Sequence, residues 1–135
     1  MTTRSFGGWL VGTILLALAV GVSAQTSPPP PLKIITVTGI GAVLTGPTGM
    51  TLYVYVNDGE TGKSVCTGTC EANWPPFRPS ASDATPQDPL SVISRLDNSK
   101  QYAYKGRPLY YCKTDKKPGE VTGHKFRDFW LAAQP

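Results

Sequence analysis

The sequence predicts a small all-β fold, an antiparallel sandwich or barrel-like meander built from two diverged repeats. The first observation behind this is a succession of short β-branched and aromatic runs cut by glycine, proline and aspartate, which fits strands joined by tight turns rather than helices. The second is internal similarity. Gly49, Leu52, Tyr53, Asp58 and Gly62 recur 57 positions later as Gly106, Leu109, Tyr110, Asp115 and Gly119, and a one-residue deletion brings Trp74 onto Trp130. Duplicated units bury a shared core, so neither half is expected to be stable alone.

The chain opens on Arg4, an apolar stretch from Trp9 to Val22 and the small-residue triplet Val22-Ser23-Ala24. This reads as a signal peptide over residues 1–24, too short and glycine-dotted for a preferred membrane span; an uncleaved anchor is the alternative. Residues 25–32, with four consecutive prolines at Pro28 to Pro31, read as an extended spacer. A single β domain is expected over 33–135: repeat one about 33–76, a connection about 77–89 and repeat two about 90–135. Thr51 to Val56 is the clearest strand, apolar on both faces and so expected to be covered on both. The five prolines between Pro75 and Pro89 mark a long surface connection. After it, Leu90 to Arg95, Gln101 to Tyr104 and Pro108 to Lys113 read as an antiparallel meander, and Phe129 to Ala132 as the closing strand.

Charge is unevenly placed. Residues 25–97 hold 4 basic and 6 acidic residues, whereas residues 98–135 hold 8 basic and 3 acidic. The mature net charge is too small to call for nucleic acid, and no second apolar run offers a span. Lys105, Arg107, Lys113, Lys116, Lys117 and Lys125, with aromatics between them, form an alternative site for an anionic ligand, weighed against a plain solvated face.

Export places Cys66 and Cys70, which bracket Thr-Gly-Thr, in an oxidising compartment where they form a candidate disulfide and leave Cys112 over. The alternative is a redox or metal-handling periplasmic protein with copper or zinc held by Cys66, Cys70, Cys112 and His124. The spacing matches neither a zinc ribbon nor a haem-attachment motif, so no metal or cofactor is assigned.

Catalysis finds little support. His124 is the only histidine and has no evident orienting carboxylate besides Asp128. Gly59-Glu60-Thr61-Gly62-Lys63-Ser64 imitates the end of a phosphate loop but has Asn57 where glycine is required. No acidic pair is placed by anything except the duplication, where Asp58 and Asp115 are expected just past a strand end, capping a turn; a cation held between the copies is the alternative. Tyr53, Tyr55, Tyr110, Tyr111, Trp74 and Trp130 are expected as core and core-edge aromatics, with an exposed platform for sugar or lipid as the alternative.

Tyr53 to Asp58 and Tyr110 to Asp115 each place tyrosine, four residues, then aspartate. With Cys66-Thr67-Gly68-Thr69-Cys70, Asn73-Trp74-Pro75-Pro76 and Gly106-Arg107-Pro108-Leu109-Tyr110-Tyr111, the sequence resembles the exported bacterial repeat proteins, often predicted lipoproteins, whose hallmark is this Tyr-x4-Asp motif. The resemblance implies a secreted repeat of unknown function, with no catalytic residue or ligand to carry across. Two departures stand out. No cysteine follows the apolar stretch within reach of the cleavage site, so lipid attachment has no acceptor and a periplasmic or secreted product without a lipid anchor is implied. Cys112, equivalent to Tyr55, fills a slot where the family usually places an aromatic residue. The expectation is a non-catalytic exported module that binds a protein partner or serves the cell envelope.

Overall fold

The computed structural model describes residues 29–135 and, before them, only positions 2, 3, 7, 8, 12 and 21. The signal-peptide reading and residues 25–28 of the spacer therefore lie outside the described residues. Leu32, read as the end of the spacer, is 5% exposed and packs in the core.

The fold is mostly strand in small antiparallel sheets, with little helix. β1 (Lys33–Val37) and β2 (Gly41–Thr45) form a hairpin, and β3 (Tyr53–Tyr55) pairs with the last strand, β7 (Trp130–Ala132). β4 (Leu90–Ser94), β5 (Lys100–Tyr104) and β6 (Arg107–Pro108) form the expected meander. α1 (Thr69–Asn73) follows the turn inside the Cys66 to Cys70 loop. Among the described residues no helix is long and apolar enough to cross a membrane.

Two strands are shorter than the sequence suggests. The run from Thr51 ends at Tyr55, and Val56–Asp58 curls into a 3-10 turn that leaves Val56 half-exposed. The run expected from Pro108 stops at Pro108 itself, the second residue of β6, because the backbone beyond it serves several partners: Leu109 bonds Tyr102, Tyr110 bonds Tyr53 and Tyr111 bonds Pro75.

These partners show how the copies interlock. The Leu44 N–H donates to Ala133 O (2.8 Å), the Ala133 N–H to Leu52 O (2.8 Å), and the Leu52 N–H to Leu44 O (2.9 Å). The same ring recurs as Tyr102 to Phe77 (2.8 Å), Phe77 to Leu109 (2.9 Å) and Leu109 to Tyr102 (2.9 Å). Each ring takes two strands from one copy and its closing segment from the other. Tyr53 and Tyr110 join the halves with reciprocal backbone bonds of 2.8 and 3.0 Å. Phe77, expected at the start of the surface connection, is instead buried as a closing segment.

Two apolar clusters result. One gathers Leu44, Leu52, Phe77, Tyr102 and Leu109 around the three-strand rings. The other sits where the copies meet and contains Tyr53, Trp74, Tyr110, Cys112 and Trp130. Of the residues repeated in sequence, the tyrosines Tyr53 and Tyr110 and the tryptophans Trp74 and Trp130 face their own counterparts.

Candidate functional site

The tyrosines and aspartates pair crosswise. Tyr53 Oη donates to Asp115 Oδ2 at 2.7 Å, and Tyr110 Oη donates to Asp58 Oδ2. Each aspartate spends its other oxygen on the backbone seven residues ahead: Asp58 Oδ1 accepts from Val65 N (2.7 Å) and Asp115 Oδ1 from Thr122 N (2.9 Å). Neither bond is the tight local cap expected from the sequence: one closes a loop seven residues long, and the other crosses to the opposite copy, for which short spacing carries no signal.

Burial pushes both phenols well above the ordinary tyrosine value, and the acceptor carboxylates add to it. Burial likewise raises Asp58, against the lowering effect of its bonds to Tyr110 and Val65 and of the Arg95 charge. Since Tyr110 has given its one proton to Asp58, the Ser64 hydroxyl donates to Tyr110 Oη (2.6 Å) and accepts from Arg95 Nη1 (2.9 Å). Arg95, 2% exposed in its side chain, also reaches Gln101, the Cys66 carbonyl and Glu71. Nothing in the sequence marks this arginine as buried, since Arg95 reads there only as a strand end.

At the centre, Trp74 and Trp130 stack with centroids 3.9 Å apart and planes 3° from parallel. Tyr53 meets Trp74 edge-on at 5.4 Å, and Tyr110 meets Trp130 edge-on at 5.1 Å. The pattern is symmetric to this depth.

It then breaks. Tyr55 stacks on Trp130 at 4.5 Å and 17°, while its counterpart Cys112 offers Trp74 no ring. In its place Phe126 approaches Trp74 at 5.9 Å, tilted by 53°. A cleft of about 570 Å³ opens here, lined by Tyr55, Trp74, Cys112, Phe126, Phe129 and Trp130 among others. Phe126 and Phe129 are 47% and 46% exposed at its rim. They are presented by a loop in which Lys125, Arg127 and Asp128 all have left-handed φ, of 61°, 51° and 60°. Non-glycine residues held in that region are uncommon, and such positions cluster at ligand clamps in many proteins.

Residues 35–78 and 91–134 each match a family described as a secreted repeat of unknown function. The chain belongs to this family of secreted repeats. The two matched segments contain the two sets of residues that exchange tyrosine–aspartate bonds. No curated protein matches the chain, and no solved structure does.

The remaining candidates of this secreted repeat protein fall in separate places. Cys66 and Cys70 are joined as a disulfide, which takes two thiolates from the alternative copper or zinc set. Cys112 is a buried free thiol 3.1 Å from Thr114 Oγ1, and His124 Nδ1 accepts the Ala132 N–H at 3.0 Å. The four do not form a ligand shell, and no group of three or more metal-ligating side chains stands together among the described residues. Asp58 and Asp115 sit in separate networks rather than facing one cation.

The basic residues also divide. Lys105, Arg107 and Lys125 line a second cleft of about 470 Å³, where Glu60 pairs with Arg107. Lys113 lines the aromatic cleft, and Lys116 and Lys117 flank Glu120 in a turn. No single basic face gathers all six.

Proposed function

We propose that this secreted repeat protein is a non-catalytic exported binding module whose ligand site is the aromatic cleft between the stacked tryptophans and the Phe126–Phe129 loop. One observation carries the reading: the symmetric core lacks one ring, at Cys112, and a cleft opens against the tryptophan that this ring would face. Its volume of about 570 Å³ falls within the roughly 300–1,000 Å³ usual for small-molecule sites. Five of its fourteen lining residues are aromatic, and exposed phenylalanines at a concave rim are a feature of recognition surfaces rather than of solvated loops. The aspartates that catalysis would need are already engaged by tyrosine and backbone, which favours a binding role over acid–base chemistry. Service as an envelope component or a carrier for a protein partner is compatible with such a site.

The probe for this reading is N-phenyl-1-naphthylamine, uncharged and fluorescent in apolar sites, titrated into the purified protein and followed by energy transfer from tryptophan. Saturable binding is expected. Cys112→Tyr, which supplies the ring that Tyr55 supplies in the other copy, is expected to weaken it by about tenfold or more. Phe129→Ser, an exposed change that leaves the core intact, is expected to weaken it too. Binding unaffected by both substitutions would place the site elsewhere.

A further inference from the structure

We propose that the ligand of the aromatic cleft is an organic acid with a flat apolar body, held by its rings against the aromatic walls and by its acid group at Lys113 and Arg127. This rests on the reading of the cleft as the ligand site and adds the ligand's chemical class. The cleft's lining includes two cationic side chains, Lys113 and Arg127, and no aspartate or glutamate. Both cations are exposed, and neither belongs to an ion pair among the described residues.

Each is also held in place. Arg127 lies over the Phe126 ring, its guanidinium carbon 5.3 Å from the centroid, so the cation and the ring it covers move together at the rim. The Lys113 N–H donates to Asn73 O at 3.0 Å, which fixes the base of that side chain beside Trp74. Asp128 follows Arg127 in sequence but does not line the cleft. Lys113 stands at the position of Val56 in the other copy, just as Cys112 stands at that of Tyr55. The two changes that distinguish this side of the molecule therefore open an apolar slot and charge its edge. The second cleft is comparably basic, since Lys105 and Lys125 remain after Glu60 pairs with Arg107, but it offers a flat apolar body little to stack on, Tyr104 being its one tyrosine, tryptophan or phenylalanine.

The test compares 8-anilinonaphthalene-1-sulfonate with its uncharged counterpart N-phenyl-1-naphthylamine on the intact protein and on Lys113→Gln/Arg127→Gln, both exposed substitutions. The double substitution is expected to weaken the sulfonate by about fivefold to tenfold at low salt, with the neutral probe changed less than about twofold. Raising the salt is expected to weaken the sulfonate alone. If both probes bind the native protein at the cleft and the substitution leaves their ratio unchanged, the acid-group assignment is overturned while the cleft remains a binding site. If neither probe binds, both readings fall together.

Discussion

A carboxylate taken out of water keeps its stability only if its oxygens are matched, and Asp58 and Asp115 are each matched by a phenol from the opposite copy and a backbone N–H of their own. Loss of either phenol is therefore expected to cost more than one hydrogen bond between exposed groups. Tyr53→Phe and Tyr110→Phe keep the rings in the tryptophan cluster and remove only the hydroxyls, so each should lower stability by about 1–3 kcal/mol, measured by urea unfolding. Tyr110→Phe also strips the Ser64 hydroxyl of its acceptor. A change under about 0.5 kcal/mol in both variants would contradict the view that these bonds join the copies. The aspartates and tyrosines themselves were legible in the sequence as repeated residues. Their crosswise pairing was not, because the partners lie 62 and 52 residues apart and spacing along one chain carries no record of which copy supplies the acceptor.

At the scale of elements, β7 depends on a histidine. His124 Nδ1 accepts the Ala132 N–H, which only an unprotonated nitrogen can do. Burial, and then the Lys125 charge, lowers the imidazole below its ordinary value. Between that lowered value and about 6.5 the unfolded chain binds a proton that the native state refuses, so stability rises with pH through this window and is complete above it. Asp58 works in the opposite sense, since its raised value favours the native state as pH falls toward the ordinary carboxylate range. The comparison must therefore be made against a variant. His124→Gln is expected to flatten the slope of the urea midpoint between pH 5 and pH 7, and an unchanged slope would sink the assignment. The strands were well foreseen where one face alternates or both are apolar, as in β4, β5 and β7. They were overextended at Val56 and after Pro108, where backbone bonds to distant segments decide the ends. The short helix at Thr69–Asn73 follows from disulfide closure and has no periodicity to announce it.

Across the whole molecule, the duplication is an exchange. Phe77, closing the first repeat, completes the second one's ring of strands, and Ala133, closing the second, completes the first. Tryptophans at equivalent positions then stack face to face. The symmetry also explains why nothing in the sequence announces the cleft: Cys112 stands out as the odd residue, but what it leaves open depends on the ring that Tyr55 lays on Trp130 in the other half. Exported family membership and the two repeats were both legible, whereas the exchange of closing segments depends on pairings 25 to 89 residues apart that local patterning does not encode.

The interlock is tested most directly by cutting the chain in the connection between Ser82 and Gln87, which contains no buried residue, and following each half by near-ultraviolet circular dichroism. Each half alone is expected to lack a fixed aromatic signal, and mixing the two should restore it, because each supplies the other's closing strand and tryptophan partner. A half that folds cooperatively by itself, with the same signal before and after mixing, would contradict the account.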